Sequence, residues 1–171
     1  MRRLHSESPV VDEALALLES AYKARLRREH RTPEHSLLVG MLLATHDQPP
    51  AVVAGGLLHD VVEDTAVTVA ELRVAVAPEV ADMVQALTEN ASIVGYAQRK
   101  AALRSQILDA GPEPATISLA DKIAKLDHLG YRPKKRKLAH YRATLDGVER
   151  RYGTSELSEM LRTQLARWPD A

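Results

Sequence analysis

Apolar residues recur along this chain at intervals of three and four, and no segment alternates apolar and polar positions ahead of a hairpin turn, so the pattern predicts an all-α protein. Ser8 followed by Pro9 has the form of a helix cap and first turn: a serine hydroxyl satisfies an orphan amide, and a proline there loses no hydrogen bond. The first helix is expected from about Pro9 to His30. Pro33 opens a second, PEHSLLVGMLLATHD, in which Leu38, Val39 and Leu42 follow His35 by three, four and seven positions. That spacing puts His35 on the apolar face, pointing inward. A third helix is expected near Pro50 through AVVAGGLLHDVVEDT, a fourth near Thr68, where Thr68 and Glu71 have the spacing of a capping box, and a fifth from Pro78 through Leu87.

Asn90 to Gly95 reads as a loop, followed by a basic helix to about Asp109 and by the breaker run Gly111, Pro112, Glu113, Pro114. Another helix carries ISLADKIAKLDHL. After Gly130 and Pro133 the basic run KKRK leads into a long helix, and Gly153 with Thr154 separates the last one, ending near Trp168. There is neither an internal repeat nor a low-complexity linker.

With 171 residues, 45% of them hydrophobic, the chain can bury one substantial core, and a single domain over residues 1–171 is expected. Lysine plus arginine equals aspartate plus glutamate at 23 each, so no net field favours nucleic acid or an anionic membrane as partner. A small charged ligand held in a local site fits this balance. The absence of cysteine excludes disulfides, thiolate metal ligands and a cysteine nucleophile, and leaves any metal to histidine and carboxylates. Asp12, Glu13 and Glu19 interrupt the apolar residues near the N-terminus, so neither a signal peptide nor a membrane span is expected, and the expected location is the cytoplasm.

His59 and Asp60 end the apolar run AVVAGGLL, directly before Val61, Val62, Glu63 and Asp64. At about 100° per residue on a helix, His59, Asp60, Glu63 and Asp64 span roughly 140° of the circumference and converge on one cavity. His59 and Asp60 are nitrogen and oxygen ligands suited to a divalent metal. Glu63 and Asp64 are then placed for proton transfer with the attacking water. Inward-facing His35 lies upstream. Downstream, Asp121 follows Ile117 and precedes Ala124 on one helical face, where burying a carboxylate calls for a cation or a hydrogen-bonding partner. The candidate ligands are therefore His35, His59, Asp60 and Asp121. Asp121 has an alternative use: a pair with Lys125 one turn later, of a kind that contributes only about 0.2–0.5 kcal/mol.

The full pattern, a histidine, then His-Asp-x-x-Glu-Asp, then an aspartate within Leu-Ala-Asp-Lys, resembles the HD hydrolase domain of the RelA/SpoT family, including its small stand-alone members. GLLHDVVEDTAVTVAELRVAVAPEVADMVQALTE is similar to that family's central segment, and ISLADKIAKL to its downstream metal-ligand helix. The resemblance runs from about His30 to Leu165. It implies a single HD-domain helical fold, one divalent metal, most often manganese, on His35, His59, Asp60 and Asp121, and a catalytic acid pair at Glu63 and Asp64. It also implies hydrolytic removal of the 3′ pyrophosphate from the guanosine alarmones ppGpp and pppGpp, with no room in the chain for a synthetase domain.

Basic residues must steady the remaining phosphates. Arg25, Arg27 and Arg28 precede His35 where the family uses a basic residue near the nucleotide base, and Arg27 is the preferred match; a solvated helix end is the alternative. Arg99, Lys100 and Arg104 form a second basic patch, with Lys100 a candidate phosphate contact. Tyr96 can stack on a base or simply pack. The KKRK run from Lys134 to Lys137 reads as solvated surface. His5, His30, His46, His128 and His140 have no comparable partners and read as structural or surface residues.

Two departures bear on substrate. The family's Gly-Glu-Pro-Tyr-Ile-like stretch before the first metal histidine is replaced by the shorter HRTPE, and Lys125 stands where the family has an asparagine. An asparagine donates and accepts; a lysine only donates, and adds a charge. The alternatives are an HD phosphohydrolase for another phosphorylated nucleotide, or a metal- or nucleotide-sensing module without turnover, acting through a homo-oligomer.

Overall fold

The computed structural model describes residues 8–29, 33–128 and 132–168, and the side chains of all of these except residues 24–29. The described residues form helices and turns, with no strand among them, which is the expected all-α class. They gather into two compact units, residues 1–88 and 89–171. Among the described residues, no helix is long and apolar enough to cross a membrane.

The first unit contains α1 (Pro9–Glu29), α2 (Glu34–Thr45), α3 (Pro50–Leu58), α4 (Val61–Asp64), α5 (Val69–Ala75) and α6 (Pro78–Leu87). The carbonyl of Ser8 accepts from the amides of Val11 and Asp12, so α1 begins where the Ser-Pro pair implies. Its inward stripe is Val11, Ala14, Leu18 and Tyr22, all buried, at the spacing of one helical face. The capping box at α5 forms in full: Thr68 accepts from the amide of Glu71, whose carboxylate accepts from the amide of Thr68. Pro78 sits in the first turn of α6 as expected.

α3 is the hub of this unit, packing on α1, α2 and α6. Of its nine residues, all from Val52 to Leu58 are buried. Its contact with α2 depends on two glycines. A methyl built on Gly40 would fall inside the Leu57 side chain, and one on Gly56 inside Leu43, and both leucines are fully buried. The helices approach so closely because neither carries a side chain at those points.

The second unit contains α7 (Tyr96–Ala110), α8 (Pro112–Asp127), α9 (Lys135–Tyr152) and α10 (Glu156–Leu165). α8 packs against all three of the others, and this is why residues around most of its circumference are buried. The expected breaker run proves to be the start of α8. Gly111, at φ 135°, makes the reversal after α7, and Pro112 and Pro114 fall in the first turn, where a missing N–H costs nothing. α10 ends at Leu165, short of Trp168, and is capped by a Ser155/Ser158 box that the sequence reading had not singled out.

Exchanging a mid-helix glycine for alanine ordinarily stabilises by up to about 1 kcal/mol. Gly40→Ala should do the opposite, because a fully buried Leu57 must be displaced, an overpacking cost of about 1–3 kcal/mol. Urea denaturation of Gly40→Ala against wild type checks this; a stabilised variant would mean that α2 and α3 do not meet as described.

Candidate metal centre and its surroundings

In the first unit, His35 stands in the first turn of α2, half-buried, and His59 follows the end of α3, almost wholly buried. The packing of Leu57 on Gly40 and of Leu43 on Gly56 holds α2 and α3 together, and the two imidazoles lie close: their centroids are 5.3 Å apart with the rings at 72°, and each offers a nitrogen within 4.8 Å of the other's. His59 Nδ1 lies 2.8 Å from the carbonyl oxygen of Gly56. An acceptor there requires the proton on Nδ1, so the Nε2 lone pair is the one presented. Nε2 in turn lies 3.1 Å from Asp60 Oδ2. A lone pair and a carboxylate oxygen repel at that distance unless a proton or a cation lies with them. A donor set of imidazole nitrogens and a carboxylate, with one imidazole oriented by a backbone carbonyl, fits a divalent transition metal.

The expected continuous helix through His59 and Asp60 is corrected by the structure. α3 stops at Leu58, His59 and Asp60 form a turn, and a single helical turn, α4, follows. Asp60 has φ −99° and ψ −2°, at the edge of helical space. The cause is local: the Gly56 carbonyl, which the Asp60 amide would engage in a continued helix, accepts from the His59 ring instead. α4 is then held by the Asp64 amide on the Asp60 carbonyl at 2.8 Å and by the Thr65 amide and hydroxyl on the Val61 carbonyl at 2.9 and 2.7 Å.

The two candidate catalytic acids, adjacent on α4, differ in their surroundings. Glu63 is exposed, whereas Asp64 is half-buried and accepts a hydrogen bond from the hydroxyl of Tyr22, 3.0 Å from Oδ2. Burial, and then the charge and hydrogen bond of Asp64, push the Tyr22 phenol well above its ordinary pKa, with the Asp60 charge adding to this and Ser36 working against it. Tyr22 therefore stays protonated and donates. The sequence reading had not singled it out; the available signal was a tyrosine on the buried stripe of α1, whose hydroxyl needs a partner.

In the second unit, Asp121 is mostly buried on α8 and faces two ammonium groups, Lys125 Nζ at 2.6 Å from Oδ1 and Lys122 Nζ at 3.7 Å from Oδ2. The Lys125 pair anticipated from the spacing is thus formed, though with the carboxylate largely sheltered rather than on the surface. Lys122 was not foreseen. It is 3% exposed, donates to the carbonyl and hydroxyl of Ser118 at 3.1 and 2.8 Å, and lies 5.7 Å from the Tyr141 ring centroid. Burial brings its pKa down to about 8, with Asp121 opposing that shift and Lys125 and Lys100 reinforcing it.

Tyr96 and Lys100, both candidate substrate contacts, line one cavity of about 240 Å³ between α7 and α9, together with Arg104, Arg136 and His140. The KKRK run is exposed as expected along Lys134 to Arg136, but Arg136 also lies over the Tyr96 ring, 4.7 Å from its centroid. Lys100 and Arg99 both pair with Glu89. Arg104 Nη1 lies 3.0 Å from His140 Nδ1; a guanidinium only donates, so this imidazole is neutral with its proton on Nε2. Burial first, then the charges of Lys122, Lys100 and Arg104, lower its pKa to about 3. The Arg27 side chain, with those of Arg25 and Arg28, lies outside the described residues, as do His5, His30 and most of the HRTPE stretch.

A family model described as HD domain matches residues 14–146. Among solved structures, the chain is similar to a metazoan ortholog of SpoT, described as hydrolysing ppGpp and acting in starvation responses. The likeness has a TM-score of 0.73 and 21% identity and covers 91% of this chain and 94% of the other. At that identity it is a likeness of fold. A protein of Listeria monocytogenes EGD-e, lmo0812, is similar with a TM-score of 0.65 and 29% identity, covering 79% of this chain and 92% of its own.

Two expectations follow from this geometry. His59→Ala removes the oriented nitrogen and should weaken manganese binding, measured by calorimetry, by more than the roughly 10–100-fold that loss of an outer partner costs; unchanged affinity in a folded variant would discard His59 as a ligand. His140 is neutral when folded but titrates near its ordinary value when unfolded. Above about pH 6.5 it does not affect stability; as the pH falls from there towards about 3 the unfolded chain takes up a proton that the folded one refuses. Stability should therefore fall with a contribution approaching about 1.4 kcal/mol per pH unit. His140→Gln should remove that part of the slope in denaturation series at pH 7, 6 and 5, whereas parallel curves would rule it out.

Proposed function

The chain belongs to the HD-domain family, a family of metal-dependent phosphohydrolases, and we propose that within it this protein removes the 3′ pyrophosphate of guanosine alarmones, ppGpp and pppGpp, giving GDP or GTP and pyrophosphate. The observation that carries the reading is the His59 and Asp60 turn: an imidazole committed through Nδ1 to Gly56, its Nε2 3.1 Å from a carboxylate, with His35 beside it and two acids following. The substrate assignment is supported by the sequence resemblance and by the fold shared with a metazoan protein described as hydrolysing ppGpp. In this reading the two units act as one HD domain, since the family match takes in most of both.

His35, His59, Asp60 and Asp121 would hold the metal, with manganese the expected ion. Bound there, a divalent cation supplies Lewis acidity towards water and a phosphate oxygen. The remaining work falls to side chains. As water oxygen joins phosphorus and the bond to the ribose 3′ oxygen breaks, one proton leaves the water and one reaches the ribose oxygen. Asp64, already accepting from Tyr22, takes the first; Glu63, exposed beside it, serves the second. Lys100, Tyr96 and Lys125, with Arg27 on α1, are assigned to the phosphates and base. The ammonium of Lys125 on Asp121, where the RelA/SpoT pattern has an asparagine, favours a second reading, the same chemistry on another phosphorylated nucleotide.

A manganese-supplemented panel of ppGpp, pppGpp, other 3′-phosphorylated nucleotides and ordinary nucleotides tests this, with the products mapped. Pyrophosphate from the 3′ side with the 5′ phosphates intact is the expected result. Release of phosphate from ordinary nucleotides alone would establish the second reading, and no turnover on any of them would point to a sensing module. Glu63→Gln and Asp64→Asn should keep the metal and lose about 10²–10⁴-fold in turnover; near-normal rates in both would assign the protons elsewhere.

A further inference from the structure

Asp64 ends a helix of four residues, too short to hold a side chain by its own cooperativity. Its anchor is 42 residues away in sequence: the Tyr22 hydroxyl, on α1, donating to Oδ2 at 3.0 Å. The Tyr22 ring is 2% exposed and belongs to the packed stripe of Val11, Ala14 and Leu18, so the hydroxyl has little freedom to move. Ser36, also 2% exposed and next to His35 on α2, works against the upward shift of the Tyr22 pKa.

We propose that Tyr22 is a positioning residue for catalysis: it fixes the rotamer of Asp64 through Oδ2, so that Asp64 serves as the proton acceptor of the reaction. The geometry has a direction: the phenol has one O–H to give, and Oδ2 of Asp64 receives it, which distinguishes Asp64 from its neighbour Glu63. This rests on the functional reading above only in what the acceptor does; the contact itself is independent of it.

Tyr22→Phe removes one oxygen and keeps the ring. In the manganese-loaded enzyme it should lower kcat about 10- to 100-fold, the range for a hydrogen bond to a charged group, while leaving KM and manganese affinity within about twofold. Wild-type kcat in Tyr22→Phe would overturn the proposal, as would a loss that tracks loss of metal or of folding. Proton NMR supplies the readout that does not need turnover: a slowly exchanging, downfield Tyr22 hydroxyl resonance that moves in Asp64→Asn. If wild type proves inactive on every nucleotide while that resonance behaves as expected, the substrate assignment fails and the positioning contact stands. Absence of the resonance in folded wild-type protein overturns the contact.

Discussion

Two imidazoles meet in the first unit because each of two helices seats a leucine of the other against a glycine, Leu57 on Gly40 and Leu43 on Gly56. Gly40 and Gly56 leave no side chain at the crossing, and Leu43 and Leu57 occupy the space so released. Gly56 contributes twice, since its carbonyl also receives the His59 ring and thereby sets which nitrogen is presented. Steric closeness and tautomer are settled at one residue. The helix is interrupted just where that carbonyl is used by a side chain, ahead of the turn that carries Asp60 and the short α4.

The second unit solves a different electrostatic problem. Lys122 is buried among apolar residues, Lys125 and Asp121 face one another, and Lys100 pairs with Glu89. Burial disfavours the charge on Lys122, and its offsetting contacts are the Ser118 oxygens, the Tyr141 ring and the Asp121 carboxylate. His140 is kept neutral first by burial and then by these cations, and accepts from Arg104. The chain's zero net charge therefore conceals a local concentration of positive groups near α8, of the kind that attracts a phosphorylated ligand.

Most helices were legible because their boundaries are local chemistry. Thr68 with Glu71, Pro78, and the Ser8 and Pro9 pair act within one turn of themselves, and the structure uses each at the expected place. The spacing that put His35 on an apolar face with Leu38, Val39 and Leu42 is corrected: the buried face of α2 is Ser36, Val39, Gly40 and Leu43, Leu38 is exposed, and His35 lies half-buried at its edge. The break after Leu58 was not legible, since nothing in the apolar spacing of AVVAGGLLHDVVED registers that an imidazole will take a carbonyl. Gly111 to Pro114 was read as a stop because the same residues terminate one helix and begin another, and only the backbone reversal at Gly111 separates the two. Tyr22 and Asp64 lie 42 positions apart, beyond the reach of any periodic argument. Lys122 was hidden by its neighbours, a lysine between an aspartate and an isoleucine reading naturally as solvent-facing.

The turn at His59 and Asp60 also bears on how such a chain can be altered. In an unbroken helix, Glu63 and Asp64 would be tied in rotational phase to the buried residues of α3, and any change there would be transmitted to the core. Here Val61 alone of α4 is fully buried, Val62 is half-exposed and Glu63 is exposed. The segment is mechanically insulated from the packing that precedes it. A new side chain at position 62 can therefore be accommodated without repacking Leu57 and Leu58, while the buried Val61 keeps the short turn seated.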